Sequence, residues 1–213
     1  MVYRHDRRTR KTRKYGWFGA LPLVLGVYVL LNAGSPMLPT TFAPKQLENK
    51  VYAEAPQISG NRLYIPSIGV DVAVVQAKGN EMAALELGAV QRQPQNGNPR
   101  DGGNFVLAAH RFNMGYTPWS TRAKSPFYHI DQVRVGDQIF VDYDSKRYLY
   151  EVTEKQHVSQ DAAEIEKRTE DKRITLYSCE LAGSKAGREV VIAKLQGQLV
   201  WQAGEYKLQK SDS

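Results

Sequence analysis

Short apolar runs separated by turn-forming residues dominate the chain between residues 57 and 203. Seven of these runs have the length and the flanking turn residues that are typical of β-strands. They cover residues 62–65, 70–75, 104–109, 138–143, 147–158, 173–179 and 188–195. Residues 82–87 fit a helical turn, residues 112–130 a loop or short helix, and residues 159–172 one helix or a long loop. About eight strands at this spacing predict a mostly β fold, either a closed barrel or a sandwich.

A different pattern occupies the N-terminal part of the chain. Residues 1–15 are rich in basic side chains, residues 15–44 contain no charged residue, and residues 17–31 are almost continuously apolar. Because a membrane span needs ~20 apolar residues, the pattern predicts a transmembrane helix over residues 16–38. Basic residues before a span hold the N-terminus in the cytoplasm. We therefore predict a single-pass protein of the cell membrane, with a cytoplasmic tail over residues 1–15 and the remaining chain outside.

A cleaved signal peptide is the competing interpretation, because it has the same basic and apolar regions. Ala33-Gly34-Ser35 offers only a weak cleavage site, since Pro36 follows directly, and an uncleaved anchor is preferred. Proline-rich residues 39–56 then read as an extracytoplasmic linker. Residues 57–203 form the predicted folded domain, and residues 204–213 a polar C-terminal tail that is expected to fray.

The distribution of charge argues against a nucleic-acid-binding protein. The chain has a formal net charge of +7, but residues 1–15 hold seven Lys or Arg against one Asp and therefore contribute +6 of it. The remaining chain is almost neutral. A nucleic-acid-binding domain needs a basic surface on its folded part, so no nucleic-acid partner is predicted.

Three residues at the edges of predicted strands carry the candidate chemistry. Cys179 is the only cysteine, and it ends the run 174–179; Arg188 follows nine residues later, and His110 lies 69 residues upstream. A nucleophile, an acid/base group and a fixed cation are the groups that acyl transfer through a thioester requires. Each has an alternative structural interpretation: a buried cysteine, a solvated hairpin arginine and a strand-end histidine.

The alternation of the penultimate strand favours a functional cysteine. Ile174 and Leu176 fall on one face, whereas Tyr177 and Cys179 fall on the other. If the Ile/Leu face fills the core, Cys179 points outward. In the last strand both faces are apolar beyond Arg188, so the alternation does not place that arginine.

No metal site is predicted. The other histidines, His5, His129 and His157, have no partner at the spacing of metal ligands, and a second cysteine is absent from the chain. Zinc sites require such spacing.

Taken together, the motifs resemble those of the sortases, membrane-anchored cysteine transpeptidases of Gram-positive-type cell surfaces. Sortases carry a TLxTC-like motif, an Arg on the last strand and an upstream His that often follows Gly. Here these are residues 175–179 (TLYSC), Arg188 in REVVIAKL and His110 in LAAHR. NRLYIPSIGV and VRVGDQIFV resemble two further family segments. Ser178 stands where Thr is usual, and Ala109 where Gly is common.

The resemblance implies a closed eight-stranded barrel with short helices and an active site on its outer surface. It further implies that Cys179 attacks a sorting signal of the LPxTG type to form a thioacyl-enzyme, that Arg188 holds the substrate backbone or the oxyanion, and that His110 transfers protons. The implied partners are surface proteins with a C-terminal sorting signal and an amine acceptor from a peptidoglycan precursor or a pilin.

Two alternatives remain open: a pilin-polymerising sortase, and a catalytically inactive membrane-anchored β-domain that binds surface proteins. No cofactor is expected. Four acidic residues of the segment 159–172 could join a calcium site like that of some sortases, although a solvated charged loop is the preferred interpretation. These residues are Glu164, Glu166, Glu170 and Asp171.

Overall fold

The computed structural model describes residues 16–38, 44–181 and 183–210, so the predicted basic tail lies outside the described residues. The helices are α1 (Gly16–Gly34), α2 (Pro44–Ala53), α3 (Glu81–Leu85) and α4 (Pro118–Ala123), with short 3₁₀ turns at Ser35–Met37, Pro66–Ile68, Pro94–Asn96, Ile130–Gln132 and Ala163–Glu166. The strands are β1 (Asn61–Ile65), β2 (Val70–Gln76), β3 (Ala89–Arg92), β4 (Gly97–Asn98), β5 (Gly102–Ala108), β6 (Gln138–Tyr143), β7 (Lys146–Val158), β8 (Arg173–Glu180), β9 (Gly183–Gln202) and β10 (Glu205–Lys210).

Eight of these strands close into a ring. The order is β9-β7-β6-β1-β2-β3-β5, and β8 closes the ring because it pairs with both β5 and β9. Neighbours are antiparallel except for β2 with β3 and β5 with β8, which are parallel. The predicted closed barrel is therefore confirmed. All seven predicted strands are present, and β3 completes the ring.

Apolar side chains fill both sides of the strands that carry the candidate residues. Phe105, Leu107, Ile174, Leu176 and Val191 face the barrel interior. The opposite face of the same strands is also buried, because the segment between β7 and β8 covers it. That second cluster contains Val106, Ala108, Ala162, Ile165, Tyr177, Val190 and Ile192. Two-sided burial explains why β9 is apolar on both faces.

Two flanking segments differ from their predictions. Within the predicted linker 39–56, α2 packs Leu47 and Val51 against Tyr64 of β1, Phe140 of β6 and buried leucines of β7 and β9. Leu and Val four residues apart lie on one face of a helix, which makes this docking possible. Within the predicted tail, β10 pairs with β9 from Glu205 to Lys210. Backbone hydrogen bonds, which need no apolar pattern, order this polar strand.

A buried ion pair ties α2 to the barrel. Nε and Nη2 of Arg147 lie 2.6 and 2.8 Å from the two carboxylate oxygens of Asp142. Arg147 also donates to the carbonyl oxygens of Val51 and Glu54 at the end of α2, and Asp142 accepts from the Tyr64 hydroxyl at 3.0 Å. The arginine therefore satisfies polar groups on β6 and α2 at once.

Removing one partner of this pair is expected to destabilise the domain strongly. Arg147→Met leaves the Asp142 carboxylate buried without its cation, and such uncompensated charges cost about 3–5 kcal/mol. Guanidinium unfolding of the full chain in detergent micelles measures the change. The matched control is Arg100→Ala, which breaks the exposed pairs with Asp101 and Asp144 and should leave the midpoint unchanged. Equal midpoints for Arg147→Met and wild type would contradict a stabilising role.

Candidate active site

The parallel pairing of β5 with β8 directs the chain at His110 toward the end of β8 that carries Cys179. The register aligns Ala108 with Tyr177, and the Ala109 amide donates to the Tyr177 carbonyl oxygen at 3.3 Å. Continued by two residues, this register places His110, just beyond β5, beside Cys179 on β8. Parallel strands present their carboxyl ends at the same edge, and neighbouring strands are only ~4.8 Å apart. The acid/base candidate His110 and the thiol of Cys179 therefore lie at the same edge of the barrel.

The antiparallel pairing of β8 with β9 adds Arg188. Cys179 and Arg188 are direct cross-strand partners, and such partners on one face have Cβ atoms ~4.5–5.5 Å apart. The β8–β9 register becomes irregular immediately after Cys179. Cys179 and Arg188 are thus paired at the end of β8, and β5 ends at the same edge, two residues before His110.

The alternation of β8 places the cysteine on the outer surface, as the sequence predicts. Cys179 is exposed and shares its face with the outer-cluster residue Tyr177, whereas Leu176 belongs to the interior. Ser178 has the interior parity and is buried. The alternation of β9 likewise gives Arg188 the outer face of Val190 and Ile192, which the sequence pattern could not decide.

Arg188 is supported by an aromatic ring. Its guanidinium carbon lies 5.0 Å from the centroid of the Tyr177 ring, within the range of a cation–π interaction. The Tyr177 hydroxyl donates to Glu166, which also accepts from Nε of Arg92 at 3.2 Å. Burial and the bond to Glu166 raise the pKa of Tyr177, so the hydroxyl keeps its proton. The ring is therefore held in place from the segment 159–172.

Glu166 is the anchor of this support. Burial alone raises the pKa of its carboxyl group, but the hydrogen bond from Tyr177 and the charge of Arg92 outweigh burial and lower the pKa below its usual value. Glu166 is therefore a carboxylate that accepts hydrogen bonds from three side chains, Tyr177, Arg92 and Gln93. The sequence pattern places Tyr177 on the face of Cys179. It indicates neither the contact of the Tyr177 ring with Arg188 nor the hydrogen bond to Glu166.

The environment of His110 favours the neutral form of its ring. Burial lowers the pKa of His110, the nearby Lys124 lowers it further, and Glu86 opposes both. Nε2 is buried and has no hydrogen-bond partner among the described residues. A neutral imidazole with a free ring nitrogen can accept a proton from a thiol or an ammonium group.

One cavity of the domain is lined by other residues. It has a volume of about 310 Å³ and is lined by residues of β2, α4 and the 3₁₀ turn after α1, among them Pro36, Val70, Trp119 and His129. His110, Cys179 and Arg188 do not line it. The candidate active site is therefore identified from strand pairing and from the types of side chain present, and not from a cavity.

Known proteins resemble the chain in sequence. A family model described as a sortase domain matches residues 63–196. The Bacillus subtilis protein named "Putative sortase YwpE" is 31% identical over 96 residues, which cover 44% of this chain and 83% of that protein. Sortase A of Listeria monocytogenes is 28% identical over 135 residues, which cover 62% of this chain and 54% of that protein. The match thus spans about half the length of this second relative.

Solved structures resemble it in fold. The crystal structure of Listeria monocytogenes sortase A aligns with a TM-score of 0.53 and 25% identity over 68% of this chain and 92% of that chain. Sortase E from Streptomyces avermitilis aligns with a TM-score of 0.53 and 22% identity over 68% of this chain and 90% of that chain. At 22% identity, the similarity to sortase E shows a shared fold only.

Proposed function

The chain belongs to the sortase family, and we propose that it is a membrane-anchored cysteine transpeptidase that cleaves an LPxTG-like sorting signal. One observation carries the proposal: β8 pairs Cys179 with Arg188, and β5, whose pairing with β8 extends to Tyr177, leads into His110 at the same edge. An exposed thiol, a cross-strand guanidinium and a neutral imidazole are the groups required for acyl transfer.

In the proposed reaction, His110 accepts the proton of the Cys179 thiol, and the thiolate attacks the carbonyl carbon of the Thr in the signal. The C–N bond breaks, and the leaving amine takes the proton from His110, so that a thioacyl-enzyme remains. An acceptor amine then attacks the thioester and gives a proton to His110. Sγ leaves as a thiolate and regains its proton, which restores the enzyme.

Arg188 is proposed to stabilise the oxyanion that forms in both steps. The Tyr177 ring fixes the guanidinium beside Cys179 before substrate arrives. A donor that is already positioned costs no reorganisation when charge develops on the carbonyl oxygen. The proposed substrates are surface proteins with a C-terminal sorting signal, and the proposed acceptor is an amine of a peptidoglycan precursor.

The apolar helix supports an anchored enzyme. Residues Ala20–Met37 are apolar enough to cross a membrane, and only 17% of that stretch is buried within the protein. Large side chains such as Leu23 and Leu30 are 68% and 73% exposed. A contiguous apolar surface of this kind requires contact with another apolar medium, such as the interior of a membrane. We propose a single span, with the basic tail 1–15 in the cytoplasm and the barrel outside.

The two departures from the family motifs lie inside the barrel. Ala109 belongs to the interior cluster, and Ser178 is buried on the interior face of β8. Neither side chain shares the outer face on which Cys179 and Arg188 lie. Their placement supports the active-enzyme proposal over a catalytically inactive binding module.

A peptide library tests the proposed function. The full chain in detergent micelles is incubated with peptides randomised around LPxTG and with an amine acceptor, and the ligated products are sequenced. We expect ligated products cut after one conserved position, with glycine-type or lysine-type amines as acceptors. Preference for a lysine side chain within a pilin-like peptide would favour the pilin-polymerising alternative. Absence of any ligated or hydrolysed product would contradict the proposal.

Truncation of the ring beneath Arg188 is expected to slow the reaction moderately. Tyr177→Leu removes the cation–π contact, worth ~0.5–2 kcal/mol, so kcat/KM for ligation should fall by about 2- to 30-fold. Tyr177→Phe keeps the ring, loses only the bond to Glu166, and should stay closer to wild type. Equal losses in the two variants would show that the bond to Glu166, and not the ring, supports Arg188.

A further inference from the structure

The outer end of α1 is hydrogen-bonded to the segment that follows His110. Nδ2 of Asn32 donates to the Gly115 carbonyl oxygen at 2.9 Å, and Oδ1 of Asn32 accepts from the Thr121 hydroxyl. One turn deeper in α1, the Tyr28 hydroxyl donates to the Tyr116 carbonyl oxygen. Asn32 is fully buried by these contacts. Polar side chains of an otherwise apolar helix therefore satisfy backbone carbonyls of a neighbouring loop.

The 3₁₀ turn after α1 extends the same contact. Nη2 of Arg122 donates to the Ser35 carbonyl oxygen at 2.9 Å. Nε2 of His129 donates to the Pro36 carbonyl oxygen at 2.8 Å. The helix end is thus held by side chains from the middle and the C-terminal end of the region 115–129, which fixes the direction in which α1 leaves the domain.

These contacts fix the depth of the loop relative to a bilayer. Tyr28 lies six residues before the end of α1, which corresponds to ~9 Å along a helix axis. The 19 residues of α1 span ~28 Å, close to the ~30 Å hydrocarbon thickness. The Tyr116 backbone, bonded to Tyr28, therefore lies at or inside the outer boundary of the hydrocarbon layer. Carbonyl groups at that depth need hydrogen-bond donors, which Tyr28 and Asn32 provide.

The side chains of this loop suit that position. Residues 112–119, here called the aromatic segment, expose Phe112 by 41%, Met114 by 45%, Tyr116 by 89% and Trp119 by 73%. Tyr and Trp prefer the membrane–water interface because their rings are amphipathic. Asp and Glu are absent from residues 112–119. Four large exposed side chains beside a membrane-spanning helix would otherwise be a costly surface in water.

We propose that the aromatic segment inserts into the membrane at the outer boundary between the headgroups and the hydrocarbon layer, and so forms a second contact between the domain and the bilayer, beside α1. This inference rests on the membrane anchoring proposed above. It assigns the exposed aromatic side chains to a lipid surface and gives Asn32 and Tyr28 the role of joining the segment to the span.

The consequence concerns the active site. Trp119 lies near the N-terminal end of α4, and Lys124 at its C-terminal end is close enough to influence the charge of His110. Lys124 also forms an ion pair with Glu86, which accepts a hydrogen bond from Asn113 at the start of the segment. Because α4 has six residues, or ~9 Å of helix, the edge with His110 is held close to the membrane surface.

Depth-dependent fluorescence quenching tests the proposal. The chain has three tryptophans, Trp17, Trp119 and Trp201, and replacing two at a time by Phe gives three single-tryptophan full-length proteins. Each is reconstituted into phosphatidylcholine/phosphatidylglycerol vesicles whose acyl chains are brominated near the headgroup or unbrominated. Trp17, near the start of α1, reports insertion of the helix, and Trp201, on β9 outside the aromatic segment, is the comparison.

We expect shallow bromine atoms to reduce Trp119 emission at least about twofold, as for a ring at the headgroup boundary, and clearly more than they reduce Trp201 emission. Asn32→Leu, which removes the link to Gly115, should lower the quenching of Trp119 while that of Trp17 stays. Quenching of Trp17 without that of Trp119 would overturn the inference and leave the anchor intact. No quenching of Trp17 would overturn the anchor and, with it, the inference.

Discussion

Replacement of Cys179 by alanine is expected to abolish ligation of an LPxTG peptide to an amine, with a fall in kcat of roughly four orders of magnitude or more. Neither His110 nor Arg188 can form the acyl intermediate in place of the thiol. Cys179 is exposed at the strand end, so its loss should leave the fold and the binding of peptide almost unchanged. Product formation followed by mass spectrometry over a long incubation measures the effect.

The matched control is Ser178→Ala, one residue earlier on the same strand. Ser178 is buried on the interior face, and its hydroxyl oxygen has no partner among the described residues. Its removal should leave kcat within about threefold of wild type, because it changes no group on the outer face. A Cys179→Ala protein that ligates at more than a small fraction of the wild-type rate would contradict the assignment of the nucleophile.

Arg188→Ala is expected to reduce kcat by about 10²–10³, the usual loss when a preorganised oxyanion donor is removed. KM should change much less, because charge on the carbonyl oxygen exists only in the transition state. The kcat of Arg188→Lys should lie between those of wild type and Arg188→Ala. Lysine keeps the charge but loses the planar group that stacks on Tyr177. Steady-state kinetics of the three proteins at saturating amine separate kcat from KM.

Lys194 offers a matched control for the arginine. It lies six residues further along β9, and its ammonium group is 4.0 Å from Asp171 at the surface. Lys194→Ala removes a cation from the same strand without changing the site edge and should leave kcat unaltered. A rise in KM with unchanged kcat in Arg188→Ala would show that the guanidinium binds the substrate backbone equally in the ground and transition states. That result would contradict the oxyanion role.

Strand positions were predictable because short apolar runs between turn residues depend only on local sequence. The outward direction of Cys179 followed from the same rule, since Ile174 and Leu176 mark the interior face. The rule failed for Arg188, because the segment 159–172 buries the outer face of β9 and removes the polar/apolar contrast. Burial of both faces of a strand by other segments cannot be seen from the sequence of that strand alone.

Other features depended on contacts between distant segments. The docking of α2 needs the outer face of β1 and β6 to be apolar, as Tyr64 and Phe140 make it. The proline-rich sequence around α2 does not show this contact, and for that reason it predicted a linker. The polar strand β10 is ordered by backbone bonds to β9. Tyr177 and Glu166 lie eleven residues apart and meet only because the segment 159–172 folds back over β8.

Direct detection of the acyl-enzyme tests the central claim, that Cys179 carries the acyl group. The full chain is incubated with an LPxTG peptide without amine acceptor, quenched in acid and digested with trypsin, which releases residues 174–185 with Cys179 inside. We predict a mass increase on this fragment equal to the peptide up to its Thr, removable by hydroxylamine as a thioester is. Peptide cleavage with no adduct on this fragment, or an adduct on another residue, would contradict the account.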